Sequence, residues 1–126
     1  MSEDFTVEFK GRYIYISNRP DLEITARTMD TLWTILSQAT KKYGCLKVLA
    51  EGSVTKRAMG TMDAFRSGDQ AALNIPGLAM ACCLYGYKTD ETTQFFKNVA
   101  HNRGARIEFF TNKEKALQWL GFDDTD

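Results

Sequence analysis

The sequence predicts an α/β fold, a three-layer domain in which helices cover both faces of a mixed sheet of about five strands. Two observations support this prediction. An alternating amino-terminal segment is typical of a β-hairpin, and short apolar runs then alternate with stretches of helical periodicity. The predicted order is β-β-α-β-α-β-α-β-α, with parallel later strands because helical crossovers join them. The 126 residues fit a single domain with one core.

The amino-terminal hairpin is predicted from two neighbouring stretches. Phe5, Val7 and Phe9 alternate with polar residues, and residues 13–17 are rich in aromatic and β-branched side chains. Gly11 stands between the stretches, where a tight turn favours a residue that accepts a positive φ. We therefore expect an antiparallel pair of strands to open the domain.

From Ile24 the apolar residues change to helical spacing, which predicts the first helix. Its buried stripe consists of Met29, Leu32, Trp33, Leu36 and Tyr43. Gly44 follows, where a helix commonly ends in a left-handed residue. Residues 45–50 are predicted as a short strand and residues 51–60 as a polar loop. We expect Trp33 to be half-buried, as we do Trp119 near the end of the chain.

The middle of the chain predicts a second helix and a central strand. Thr61 is placed to cap a helix over residues 62–73, which the Asn-Ile-Pro-Gly sequence at 74–77 ends. Residues 78–84 are apolar at nearly every position. That pattern is typical of a strand covered on both faces, so this strand is predicted to lie centrally in the sheet.

The last part of the chain predicts helix, strand and helix. Acidic residues begin the third helix, and Phe95, Phe96 and Val99 form its predicted buried stripe. Residues 106–110 are predicted as a strand. Thr111 and Glu114 match a capping box at the start of the last helix. Its predicted inward residues are Ala116, Leu117 and Leu120.

Composition limits the function classes. Lys+Arg and Asp+Glu both number 16, so the chain lacks the basic excess that favours nucleic acids or anionic membranes. No signal peptide is recognisable, and the apolar run at 78–85 is shorter than the roughly 20 residues that span a bilayer. We expect a cytoplasmic protein without membrane insertion, whose tail after about residue 121 is frayed.

The three cysteines Cys45, Cys82 and Cys83 form no C-x-x-C pair. Neighbours in a strand point to opposite faces, so Cys82 and Cys83 are poorly placed to form a disulfide. We interpret all three as small buried residues in a reducing compartment. With a single histidine, His101, they do not form a recognisable zinc-ligand set, and no metal or cofactor is expected.

The carboxyl-terminal sequence carries a family resemblance. Residues 95–104, 107–111 and 114–120 contain Asn-Arg-Gly, Phe-Thr and Ala-Leu-x-Trp-Leu elements. They resemble the closing helix, strand and helix of the SpoIIAA-like (STAS-like) family of small bacterial domains. That family is related in fold to anti-sigma-factor antagonists and to the lipid-binding CRAL-TRIO fold. The resemblance implies a STAS-like fold and a regulatory or protein-interaction role.

In the antagonist branch of that family, a Ser or Thr at a helix start is phosphorylated, which breaks a protein contact. Thr61 is the nearest positional match in this sequence. The family's Asp-Ser-Ser/Thr-Gly motif is absent, and residues 59–63 read Met-Gly-Thr-Met-Asp. By the residues alone, Thr61 is also explained as a helix cap.

Candidate site residues follow from the predicted topology. Ligands of open parallel sheets bind at the loops beyond the carboxyl ends of the strands. The candidates for a phosphoswitch or partner contact are Ser53, Thr55 and Thr61. The candidates for ligand or anion binding are Glu51, Lys56, Arg57, Tyr85 and Tyr87. A solvated polar loop is the alternative interpretation of residues 51–60.

The leading hypothesis is a non-enzymatic regulatory or protein-interaction module, with a homodimer left open. The first alternative is a carrier of a small apolar, lipid-like ligand in a pocket lined by soft side chains. That pocket would be lined by Tyr85, Tyr87, Met59, Met62 and Met80. The second alternative is an enzyme that uses Glu51, Lys56 or Tyr85, although no catalytic set is recognisable by spacing.

Overall fold

A five-stranded mixed sheet forms the centre of the domain in the computed structural model, which describes residues 5–18, 26–53, 69–70, 73–85 and 91–122. The strands are β1 (Phe5–Phe9), β2 (Ile14–Asn18), β3 (Lys47–Ser53), β4 (Ala79–Tyr85) and β5 (Arg106–Phe110). They lie side by side in the order of the chain. β1 is antiparallel to β2, whereas β2 to β5 are parallel to one another. The predicted α/β fold with a mixed sheet is therefore confirmed.

Three helices pack on this sheet, namely α1 (Ala26–Tyr43), α2 (Glu91–Asn102) and α3 (Lys113–Leu120). Residues 69–70 and 73–74 are also helical, and all of them except Asn74 fall within the range 62–73 that was predicted to be helical. The other positions of that predicted helix, including its capping residue Thr61, lie outside the described residues.

The two faces of the sheet carry separate core clusters. One cluster joins α1 and α2 to the side chains of Ile14, Ile16 and Val48, and the other joins α3 to Leu49 and Cys83. The two crossover helices that the structure describes in full, α1 and α2, both pack in the first cluster and therefore lie on the same face of the sheet. α3 follows β5 and covers the opposite face. The predicted three layers are confirmed in this form.

The core of α1 matches its predicted stripe, with one difference in depth. Leu32 and Leu36 are buried, and Met29 and Tyr43 pack at the border of the cluster. Trp33 is only 1% exposed, so the expectation of a half-buried side chain is wrong. The Phe96 ring of α2 lies 6.1 Å from the Trp33 ring and closes it off from solvent. Trp119 of α3 is half-buried as expected.

Strand β3 differs from its predicted bounds. It was expected over residues 45–50, but it runs from Lys47 to Ser53. Its pairing with β4 continues to the end, where Ser53 lies opposite Tyr85. Because inter-strand hydrogen bonds satisfy polar backbone groups, residues 51–53 join the sheet even though their side chains suggested a loop.

Two predictions for the carboxyl-terminal helices are wrong. Phe95 was placed in the buried stripe of α2, but it is 37% exposed, and Ala100 is buried instead. The cap of α3 is Asn112 rather than Thr111, because the Asn112 Oδ1 accepts a hydrogen bond from the Lys115 backbone N–H at 3.1 Å. Asn112 has an extended backbone, as capping residues do.

The cysteines are all free thiols. Cys82 and Cys83 are buried on opposite faces of the sheet, as the strand periodicity predicted. Cys45 is only half-buried, because it precedes β3 rather than lying within it. The expectation that all three are buried is therefore wrong for Cys45.

Candidate functional site

The carboxyl ends of β2, β3 and β4 lie next to one another at a single edge of the sheet. Their parallel register pairs Ser17 with Glu51, Glu51 with Cys83, and Ser53 with Tyr85. We call the edge formed by the last residues of these three strands the carboxyl edge. The chain therefore leaves β3 and β4 at neighbouring points of the sheet, which is the arrangement that places ligand sites in parallel sheets.

The structure brings two of the candidate residues together at this edge. Ser53 and Tyr85 are the last residues of neighbouring strands and pair directly in the register. Glu51 lies two residues before Ser53 in β3. The remaining candidates, which are Thr55, Lys56, Arg57, Thr61 and Tyr87, lie outside the described residues. So do Met59 and Met62, which were considered as lining an apolar pocket.

Glu51 is a strand residue with a specific partner, not part of a solvated loop. Its side chain lies on the sheet face that α3 partly covers, and it is half-buried. The Tyr15 hydroxyl of β2 donates a hydrogen bond to the Glu51 Oε1. The carboxylate therefore does not point freely into solvent, and it is fixed against the phenol of the neighbouring strand.

The surroundings of Tyr15 favour its protonated form. Burial, followed by the hydrogen bond and the negative charge of Glu51, raises the pKa of Tyr15 to about 12. The Ser17 side chain acts in the opposite direction through a hydrogen bond. Two ammonium groups lie near the ring, with the Lys10 Nζ at 5.3 Å and the Lys113 Nζ at 5.6 Å from its centroid. The pair is thus a neutral phenol that is hydrogen-bonded to a carboxylate and has two cations near its ring.

Sequence reasoning missed Tyr15 and Ser17 as members of this cluster. Their alternation in β2 places them on one face, and that much was readable from the sequence. Their proximity to Glu51 depends on the register of β2 against β3, because Tyr15 and Glu51 are 36 residues apart in the chain. No local pattern specifies that register.

Gly52 allows a close contact between β2 and β3 at the carboxyl edge. A Cβ atom built at Gly52 would lie 2.9 Å from the Asn18 Cγ, which is closer than side-chain atoms normally approach. The Asn18 side chain therefore occupies the space above Gly52 on the face opposite Glu51. Asn18 is the last residue of β2.

The apolar-pocket hypothesis receives no support from Met80. This residue is 2% exposed and packs within the core of α1 and α2 instead of lining an opening. An open depression of about 520 Å³ runs along α1 and is lined by polar and charged residues with one apolar side chain. Its lining residues are Arg27, Asp30, Thr31, Thr34 and Ile35.

Other polar residues have structural explanations. His101 is exposed in the last turn of α2, and Arg103 forms an ion pair in which its Nε lies 2.5 Å from the Asp69 Oδ1. Among the described residues, no group of three histidine, cysteine or carboxylate side chains could hold a metal ion. None of the helices described is long and apolar enough to cross a membrane.

Comparisons with known proteins find no match to this chain among family models, curated proteins or solved structures. The geometry of the carboxyl edge and the chemistry of its residues are therefore the observations that bear on function.

Proposed function

We propose that this chain is a non-enzymatic regulatory module of STAS-like type that binds a protein partner at its carboxyl edge. The observation that supports the proposal is the register of the parallel strands. It sets the ends of β2, β3 and β4 side by side, with Ser53 directly opposite Tyr85. Loops that start from a rigid sheet in this way are common binding elements.

The chemistry of the edge fits a protein contact better than catalysis. The half-buried carboxylate of Glu51 already accepts a hydrogen bond from Tyr15, whose raised pKa keeps it protonated at neutral pH. A general base needs a pKa near the working pH, and this phenol is far from that range. The hydroxyl and basic residues at 53–57 offer hydrogen bonds and positive charge to a partner surface.

Phosphorylation would regulate the same contact. Thr55 and Thr61 follow β3 in the chain, although both lie outside the described residues. A phosphate adds charge of about −2 and three acceptor oxygens, which changes a polar interface strongly. In this proposal a phosphate on Thr61 weakens partner binding by repelling acidic groups of the partner.

Affinity capture with matched variants tests the proposal. The full tagged chain is used as bait in an extract of its native cell, together with two acidic variants, Ser53→Asp at the carboxyl edge and Thr61→Asp as a mimic of the phosphorylated residue. Gln38→Asp serves as the control. Gln38 is exposed in the second half of α1, which leads away from the carboxyl edge toward the amino-terminal ends of the parallel strands. The captured partner is then purified and its Kd is measured for each variant.

We expect Ser53→Asp and Thr61→Asp each to raise the Kd by about tenfold or more, which corresponds to about 1.4 kcal/mol, because each adds negative charge against an acidic partner, and Gln38→Asp to leave it unchanged. Failure of the wild-type chain to capture any partner would contradict the proposal. Equal weakening by Gln38→Asp would also contradict it, because the contact would then lie elsewhere.

A further inference from the structure

The outer edge of β1 has the features of a site for strand addition. β1 is the terminal strand of the sheet, and within the described part of the chain no strand pairs with its outer side. The strand contains no proline, and its residues alternate between the two faces of the sheet. An unpaired strand edge offers a row of N–H and C=O groups to another chain.

The hydrogen-bonding pattern between β1 and β2 shows which backbone groups of β1 face away from β2. The Lys10 N–H donates to the Tyr13 carbonyl at 2.9 Å, so these two residues form a hydrogen-bonded pair. Along an antiparallel ladder, every second pair of opposite residues is hydrogen-bonded. The next hydrogen-bonded pairs are therefore Glu8 with Tyr15 and Thr6 with Ser17. The backbone groups of Phe5, Val7 and Phe9 consequently point away from β2.

The other terminal strand of the sheet, β5, is protected against strand addition, whereas β1 is not. On β5 the Glu108 Oε1 accepts a hydrogen bond from the Phe109 N–H at 3.1 Å. The Lys97 ammonium of α2 holds the same carboxylate at 3.0 Å. A charged side chain bound to an edge N–H is one of the ways in which proteins block strand addition.

We propose that two copies of this chain associate through their β1 strands in an antiparallel pair centred on Val7. A two-fold axis at Val7 places Phe5 opposite Phe9 of the second copy, and Val7 opposite its equivalent. Each copy then contributes three outward N–H groups and three outward C=O groups, so the pair forms six hydrogen bonds. The sheet becomes continuous across both copies.

Side-chain chemistry selects this register from its neighbours. Residues directly opposite each other share a face, so an odd-numbered residue must pair with another odd-numbered residue. Moving the axis to Glu8 would set the two Glu8 carboxylates opposite each other, which is unfavourable. With the axis at Val7, Glu8 lies opposite Thr6 of the second copy, and both side chains are exposed.

A second copy also covers apolar side chains of β1. Val7 and Phe9 are half-buried at the border of the core of α1, where the Phe9 ring stacks on Tyr43 at 4.7 Å. Pairing across the axis places Val7 against Val7 and Phe9 against Phe5, which covers apolar surface that one copy leaves partly open. Because a five-residue strand buries little area, the dimer is weak and depends on concentration.

Charge substitutions at Thr6 test the register. Sedimentation of the full chain from about 5 µM to about 1 mM gives the dimer Kd. Thr6→Glu sets two pairs of like charges across the interface and is expected to raise the Kd about three- to tenfold, whereas Thr6→Lys lowers it by a similar factor. The double variant Thr6→Glu with Glu8→Lys restores dimerisation. Thr6 is exposed, so these changes should leave the fold intact.

Two further measurements keep the test independent of charge. Val7→Pro removes an N–H that faces away from β2, so the monomer keeps its ladder while the dimer is lost. Circular dichroism checks that this variant is folded. In the wild-type protein, hydrogen exchange at the amides of Phe5, Val7 and Phe9 should slow as concentration rises.

A chain that remains monomeric at about 1 mM overturns the proposal. A dimer that is insensitive to all three charge variants overturns it as well, because another surface must then hold the copies together. These outcomes are separate from partner capture at the carboxyl edge, since the β1 edge takes no part in that contact.

Discussion

Tyr15 on β2 donates a hydrogen bond to the Glu51 carboxylate on β3, and the two residues join strands that are distant in the chain. The pair lies on the sheet face that α3 covers only in part. Burial and the negative charge of Glu51 disfavour loss of the phenolic proton. This relationship has a direct consequence for the alkaline behaviour of the protein.

We predict that Tyr15 titrates with a pKa of about 12, and that Glu51→Gln lowers this pKa while burial keeps it above its usual value. The pKa is read from the ultraviolet absorbance of tyrosinate, as the difference between each protein and its Tyr15→Phe counterpart. Glu8→Gln is the matched control, because Glu8 is an exposed carboxylate that lies opposite Tyr15 in the register. Equal shifts from both Gln substitutions would contradict the assigned role of Glu51.

The same shift predicts a pH dependence of stability. The pKa of Tyr15 is higher in the folded protein than its unfolded value of about 10. Its contribution to folding is therefore fully present below about pH 10 and is lost as the pH rises through about 12. We expect the free energy of unfolding of wild type to fall more steeply in this window than that of Tyr15→Phe. Parallel curves from urea titrations at several pH values would refute this.

The amino-terminal cap of α3 gives a test that separates two adjacent residues. The Asn112 side chain accepts a hydrogen bond from the Lys115 N–H, so Asn112→Ala should lower the free energy of unfolding by about 1 kcal/mol. Thr111→Ala should change it by less than about 0.5 kcal/mol, because Thr111 is exposed and precedes the cap. Urea unfolding measures both values. If Thr111→Ala lowers the free energy of unfolding more than Asn112→Ala does, Thr111 is the cap, as the sequence predicted.

The cysteines should differ in reactivity. Burial raises the pKa of Cys82 to about 12, and Cys83 is buried on the opposite face. Cys45 is half-buried, and its Sγ lies 3.5 Å from the Lys47 carbonyl oxygen near the start of β3. We expect iodoacetamide to modify Cys45 first in the native protein, since thiolate access controls the rate.

Intact-mass measurement follows this labelling with time. Cys45→Ser should abolish the early adduct, while unfolding in urea should expose Cys82 and Cys83 together. Early labelling of the Cys45→Ser protein would show that one face of β4 opens in solution, contrary to its burial in the structure.

The amino-acid sequence by itself determined the element types, because they depend on local periodicity. The stripe of Leu32 and Leu36 specified α1, the alternation of residues 5–9 specified β1, and Gly11 allowed the turn with a φ of +89°. The opposite placement of Cys82 and Cys83 also followed from strand geometry alone.

Tertiary structure decided what depends on pairing between distant segments. The length of β3, and with it the position of Glu51, is set by hydrogen bonds to β4 that continue to Tyr85. The contact of Glu51 with Tyr15 needs the register of β2 against β3. The packing of α2 on the sheet buries Phe96 and Ala100 and leaves Phe95 exposed. Local patterns reflect the free energy of a single helix or strand, whereas register, strand order and burial depend on contacts that form only when the whole domain packs.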